Sequence, residues 1–313
     1  AGGSMYWEDS VAHISKSDFI GNSAMLGGAM LFIDSNSAVS ECQFIGNRAV
    51  SPAGQGGAIY SASSQSMFYD CLVMNNIASV SGGGAYFSGE HEPNMHNCIL
   101  TGNTANRDGG GISATWDVQL TISNCTLANN QVTGGGFAAG FGGGLSCAYE
   151  ANTKVINSIL WNNNADYGRE ISIGNNFEAA GKRPAEVTVN YSDVQGGGAG
   201  VFFDFENGCK LNGFDSPTTN LDGTSLTSPS FVTKLAWGEY FLGAPDICEP
   251  PQALQNLCID FGLGTALDNY MFKHTTRTDL KIDEPKSKVD LGYHYVLEPT
   301  ILGDFNFDRV VSL

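Results

Sequence analysis

The sequence predicts an all-β fold: a parallel β-solenoid over residues 1–198, an irregular β-rich region over 199–298 folded back on it, and an extended tail over 299–313. Three observations predict it. A unit of 25 to 33 residues recurs along the first part of the chain. Gly makes up 40 of the 313 residues, which loads that unit with sharp turns and disfavours helix. The stretches between turns are short runs of period two, with no 3.6-residue stripe long enough for a helix.

The unit is visible at once. The opening AGGSMYWEDSVAHISKSDFIGN returns as LGGAMLFIDSNSAVSECQFIGN at an offset of 25. Its asparagine recurs at Asn22, Asn47, Asn76, Asn103, Asn130 and Asn163. An apolar position recurs at Phe19, Phe44, Val73, Leu100, Leu127 and Leu160, and a small one at Ser17, Cys42, Cys71, Cys98, Cys125 and Ser158. A glycine step is read at Gly27-Gly28, Gly56-Gly57, Gly83-Gly84, Gly110-Gly111 and Gly143-Gly144. Runs such as Val118 to Ile122 and Val155 to Ile159 supply the strands. Short strands joined by Gly and Asn corners stack coil on coil about 4.8 Å apart, so equivalent residues form files. Asn tolerates left-handed backbone, and its amide bonds to the next Asn along the stack. Gly permits positive φ and close backbone approach at the corner. Phe, Val and Leu fill the interior, and the stacked cysteines Cys42, Cys71, Cys98 and Cys125 pack beside them. About seven coils are expected in 1–198.

Composition narrows the function. Lys plus Arg is 15 against 32 Asp plus Glu, a net charge of -17, which repels nucleic acid and anionic lipid and favours cations. No run of 18 apolar residues occurs, so no membrane span is expected, and no charged-plus-apolar leader precedes Ala1. Of eight cysteines none forms a CxxC pair, which removes support for a zinc or thioredoxin-type site.

FIGN paired with GGA resembles the repeats of the chlamydial polymorphic outer membrane proteins, and the whole resembles right-handed parallel β-helix repeat proteins of bacterial surfaces. The later chain is similar to large secreted β-helix proteins of planctomycetes and other environmental bacteria. Tyr191 to Gly197 (YSDVQGG), Ser228 to Val232, Gly238 to Leu242, Cys258 to Gly262 and Val289 to Tyr295 follow the order of that group. The resemblance implies a right-handed parallel β-helix and an extracellular or cell-surface location. The last stretch, Gly303 to Val311, resembles the start of a dockerin calcium loop. Asp304, Asn306 and Asp308 would be oxygen ligands at loop positions 1, 3 and 5. Arg309 stands where the loop's Gly belongs, and the printed sequence ends before the position-12 acid, so calcium, the one cofactor admitted, is expected to bind weakly or not at all.

Candidate chemistry outside the repeat is thin. HEPNMH at His91 to His96 has neither the spacing nor, with Pro93, the helix of an HExxH zinc site. A polysaccharide lyase needs a cationic base beside neutralising groups, whereas Lys16, Arg48, Arg107, Lys154 and Arg169 share no column. A hydrolase needs paired carboxylates, for which Asp204 with Glu206 is the best local pair. Trp7, Trp116 and Trp161 would serve as a sugar-stacking strip or, more in keeping with a solenoid, as packing. Cys147 with Cys209, and Cys248 with Cys258, are candidate disulfide cysteines in an oxidising compartment, their connectivity open.

The function expected is structural: an extracellular β-solenoid subunit that assembles head to tail into a fibre or surface adhesin, its partner a copy of itself. The alternative is a carbohydrate-active enzyme or glycan-binding module, with polysaccharide as partner. Ala1 to Gly3 already lie at a glycine corner, which predicts an open first coil that a neighbour covers. The alternating FNFDRVVSL, with Phe305, Phe307, Val310, Val311 and Leu313, is expected to add as a strand to that neighbour.

Overall fold

A computed structural model describes residues 2–134, 139–174, 183–214, 220–221, 229, 231–234, 238–242, 257–259, 261–271, 274–276 and 285–296. The chain winds as a parallel β-solenoid. Its first sheet has eight strands, from Met5–Glu8 and Met30–Ile33 to Val201–Phe203. The second also has eight, from His13–Ser15 to Lys210–Asn212, and so has the third, from Asp18–Ile20 to Asn220–Leu221. A fourth, of five two-residue strands from Ser23–Ala24 to Gln131–Val132, closes the corner before the glycines.

Each strand pairs only with its equivalents one coil away, so the sequence columns are real files. Phe19 faces Phe44, then Val73, Leu100, Leu127, Leu160 and Val194, all of them buried. In strands this short only one or two residues per strand point inward. The interior is therefore one continuous apolar core built of stacked files. Phe32, Phe68 and Phe87 interlock edge-to-face at 6.2 and 6.0 Å, a favoured aromatic geometry.

Two expectations are corrected. Parallel pairing does not stop at residue 198. An eighth coil follows through Val201–Phe203, Lys210–Asn212 and Asn220–Leu221, although the Asn, Gly and Cys markers fade there. Backbone pairing needs no particular side chain, so the coil outlasts the motif. The glycine step is also shifted by one in three coils. The left-handed residues are Gly27, Gly56, Gly82, Gly109, Gly142 and Gly168, with φ between 55° and 68°. A Cβ on Gly82 would come within 2.4 Å of the Ala85 carbonyl oxygen, so only glycine fits. In a GGG triplet composition cannot say which pair makes the turn.

The described part of the C-terminal region folds back on the outer face of the third sheet. An antiparallel hairpin, Phe231–Lys234 with Gly238–Leu242, carries Tyr240 and Leu242 onto it. Cys258 and Leu291 join Leu242 against Ile159 and Leu221, while Tyr240 sits on Ile99 and Ala128. Among the described residues no helix is long and apolar enough to cross a membrane.

Candidate functional site

The six asparagines form one hydrogen-bonded ladder. In each step the backbone N–H and the side-chain Nδ2 of one Asn both donate to Oδ1 of the next: Asn22 to Asn47, and so on through Asn163, at 2.8 to 3.1 Å. The same Nδ2 also donates backwards to a carbonyl of the preceding coil, as Asn103 does to Val73 at 2.9 Å. Each inner asparagine therefore ties three coils together. The ladder residues are not themselves left-handed. That conformation falls on the residue before each: Gly21, Gly46, Asn75, Gly102, Asn129 and Asn162.

Glu170 ends the ladder, a residue the repeat gave no reason to select. It occupies the file of Gly84, Gly111 and Gly144, and its two carboxylate oxygens take the Asn163 backbone N–H at 3.2 Å and Nδ2 at 2.5 Å. Burial pushes its carboxyl up to about 8, against the opposing effect of the two Asn163 donors.

The small-residue file is a second ladder. Cys98 N–H donates to Cys125 Sγ at 3.3 Å, Cys125 N–H to Ser158 Oγ at 3.1 Å, Ser158 N–H to Ser192 Oγ at 3.1 Å, and Ser192 N–H to Asn220 Oδ1 at 3.1 Å. Each thiol or hydroxyl in turn donates to the carbonyl two residues back, as from Cys71 to Tyr69 at 3.1 Å. Cys42, Cys71, Cys98 and Cys125 are free, buried thiols. Desolvation pushes Cys42 up to about 11 and raises Cys71 and Cys98 well above the ordinary thiol value. Buried and screened from water, these thiols serve as structural donors and acceptors rather than nucleophiles.

A third file, absent from the sequence reading, faces outward at the corner between the second and third sheets. Asp70, Asn97, Asn124 and Asn157 are all left-handed there. Asn97 grips both backbone groups of His294, accepting from its N–H at 2.6 Å and donating to its carbonyl at 2.8 Å. Asn157 holds Leu263 in the same way, at 2.6 and 3.3 Å. Tyr240 hydroxyl bonds Thr101 Oγ1 and accepts from Asn129 Nδ2 at 3.0 Å. These side chains latch the C-terminal region to the coils. An Asp or Asn directly before Cys71, Cys98, Cys125 and Ser158 was the available signal.

A family model described as the right handed beta helix region matches residues 5–220. The chain belongs to that family. No curated protein and no solved structure matches it. The matched span coincides with the eight coils, and the remaining candidates can be placed on this right-handed β-helix.

The three tryptophans do not make a strip. Trp7 stacks on Phe32 inside the helix at 5.0 Å, and Trp161 packs beneath the C-terminal region. Trp116 projects from a corner, stacked on Tyr149 at 4.6 Å with the Arg183 guanidinium 5.1 Å from its centre. His96 ends a strand of the second sheet with Nδ1 2.9 Å from Ser123 Oγ, and desolvation lowers its pKa. Asp204 caps a 3-10 turn, accepting from the N–H of Asn207 at 3.2 Å and from its side chain at 2.5 Å. A Cys147–Cys209 disulfide is not formed: Cys147 is a free thiol bonded to the Ala151 carbonyl at 3.3 Å, pushed up to about 12 by burial. Cys258 Sγ lies 3.4 Å from an Asp193 carboxylate oxygen, and Cys248 lies outside the described residues. So do Asp304, Asn306 and Asp308 of the calcium-loop resemblance, and Phe305, Phe307, Val310, Val311 and Leu313 of the expected assembly strand.

Proposed function

We propose that this β-helix is an extracellular structural subunit that associates end to end, as an element of a fibre or surface adhesin. The observation that carries the reading is that both the first and the eighth coil expose large apolar side chains. Tyr6, Val11 and Met25 project from the first coil at 45%, 68% and 61% exposure, and Phe203 and Phe205 from the eighth at 43% and 77%. Side chains of this size scattered singly are ordinary, but several on each end coil offer apolar surface for contact between unlike ends. Contact of that kind does not close, and it propagates. The resemblance to secreted repeat proteins supports the location, and two ladders along the axis suit a rigid spacer.

Sedimentation of the full chain over a hundredfold concentration range tests this. Concentration-dependent growth in mass, weakened at least tenfold by Phe205→Ser or Val11→Ser, is expected. A single monomeric species throughout would overturn it. Polysaccharide contact is the second reading, favoured by a shallow groove on the second sheet where Glu92, Gln119, Thr121, Asn152 and Lys154 line up across neighbouring coils. Incubation with acidic and neutral polysaccharides decides whether binding, or the ultraviolet-absorbing product of a lyase, accompanies assembly.

A further inference from the structure

The corner between the first and second sheets changes character halfway along the solenoid. In the first four coils a single left-handed residue turns it: Asp9, Asp34, Ser63 or Gly89. The fifth and sixth coils use two in succession, Trp116-Asp117 and Tyr149-Glu150, with φ between 55° and 65°. Glycine and short polar residues suit that conformation, whereas a bulky aromatic is strained in it. Strain of this kind persists only where the surroundings hold it, and it gathers at sites of function. Trp116 and Tyr149 stack at 4.6 Å, and the Arg183 guanidinium lies 5.1 Å from the indole centre. After both contacts Trp116 is still 44% exposed. Packing therefore leaves much of this strained side chain unused.

What lies beside it is polar. Three residues on from Trp116 the outward row of the second sheet begins with Gln119, level with Asn152 and Glu186 of the next two coils, and continues with Thr121, level with Lys154 and Thr188. Glu92, Gln119, Thr121, Asn152 and Lys154 line a groove of about 350 Å³, at the lower end of the range for small-ligand sites. Its charges balance. Glu92 offsets Lys154 within the groove, and on its flanks Glu150 pairs with Arg183 at 3.2 Å and Glu186 with Lys210 at 3.8 Å. The chain as a whole carries -17, which repels a polyanion. An exposed indole beside amides and a hydroxyl, in a neutral patch of an acidic protein, matches the chemistry of an uncharged sugar: an apolar C–H face for the ring, and hydroxyls for the amides.

We infer that Trp116 is the platform of a binding site for an uncharged polysaccharide, one sugar ring lying on the exposed indole and its neighbours running along the strands over Gln119, Asn152 and Thr121. Such a site presupposes that the groove contacts polysaccharide, and adds the platform and the neutral ligand. It uses none of the end-coil residues invoked for assembly. Glu92 is the one carboxylate among the lining residues, and hydrolysis takes two that flank the scissile bond, so the site holds its ligand without hydrolysing it.

Affinity electrophoresis of the full chain tests it, in native gels holding hydroxyethylcellulose, laminarin or galactomannan, with sodium polygalacturonate as the anionic arm. Retardation in at least one neutral gel is expected. Trp116→Gly installs what the fourth coil already carries as Gly89 and relieves the left-handed strain. It is expected to weaken the retardation by about fivefold or more while the thermal midpoint holds or rises, and Trp116→Tyr is expected to keep most of the binding. A side chain that only braces the corner behaves the other way, with a lowered midpoint and unchanged retardation, and that result overturns the inference. Retardation that survives Trp116→Gly but is lost when Gln119→Ala and Asn152→Ala are combined leaves the groove a polysaccharide site and overturns the platform. Retardation by polygalacturonate alone overturns the neutral ligand, and none in any gel overturns the site together with the polysaccharide reading. Sedimentation of the same variants reads end-to-end association separately: if Trp116→Gly suppresses growth in mass and leaves retardation intact, the indole is a contact between copies and the inference fails.

Discussion

Asn97 and Asn103 belong to the same coil and carry the same side chain, but they work in opposite directions. Asn103 points inward, where its amide joins Asn76, Asn130 and the Val73 carbonyl across neighbouring coils. Asn97 points outward and, besides donating to Asp70 Oδ1 at 2.6 Å, holds the backbone of His294, from a region nearly two hundred positions away in sequence. The first interaction repeats in every coil because its partner is the same residue one turn on. The second recurs only at Asn157, and there with an unrelated partner, Leu263. Repetition therefore marks what holds the solenoid together, and the latch between solenoid and C-terminal region is built from singular contacts.

Paired substitutions break that comparison most sharply. Asn103→Ala removes the acceptor for both the N–H and the Nδ2 of Asn76 and leaves the Val73 carbonyl short of a donor, all three residues being 0% exposed. Each buried group left unpaired costs roughly 1–3 kcal/mol, so the loss on thermal or urea unfolding is expected to reach several kcal/mol. Asn97→Ala is expected to cost less globally, about 1–2 kcal/mol, because the freed His294 backbone can turn to water as the segment opens. Its signature is local: faster proteolytic cleavage between residues 258 and 296, with the coils intact. Equal global losses from the two would dissolve the distinction between ladder and latch.

The same distinction explains what could be read from the sequence. The Asn, Cys and apolar columns were legible because a parallel stack turns a linear period into a spatial file. Positions without a period were not legible in this way. Glu170 replaces a glycine in its file, and only the register shows that its carboxylate lands where a seventh asparagine amide would be. Tyr240 reaches Thr101 and Asn129 from a hairpin with no counterpart in the repeat. The eighth coil kept the backbone pairing but not the markers. The Cys147–Cys209 bridge failed for a related reason: cysteine count speaks to redox compartment, whereas Cys147 already has its partners in the Ala151 carbonyl and the Thr153 hydroxyl.

Glu170 sharpens the comparison at the ladder's end. Its carboxyl is raised to about 8 in the fold from an ordinary 4.5, chiefly by burial, with Asp193 adding to the rise and Arg169 opposing it. A raised folded value means that the fold prefers the protonated form. Its stabilising contribution is therefore fully present below about pH 4.5 and is lost as pH rises towards about 8. Glu170→Gln keeps an acceptor for Asn163 and removes the charge. Denaturant midpoints measured between pH 5 and 9 should fall with pH in the natural chain more steeply than in the variant. Parallel curves would show that Glu170 is already ionised and stabilised by Asn163.

The smallest effect is expected in the second ladder. Ser158 accepts from the N–H of the preceding coil and donates to the carbonyl two residues back, at 3.1 and 2.8 Å. Cys98, two coils earlier, donates likewise to the His96 carbonyl at 3.3 Å, and its sulfur meets the thiol of Cys71. Cys98→Ser should therefore preserve the pattern with shorter bonds and a slightly looser fit, at about 1 kcal/mol or less. Cys98→Val, similar in volume but without donor or acceptor, strands those polar groups and should cost more, about 1–3 kcal/mol. If serine proves as damaging as valine, the file is held by sulfur packing and not by hydrogen bonds. If both are neutral, the coils are held by the asparagine ladder and the backbone alone.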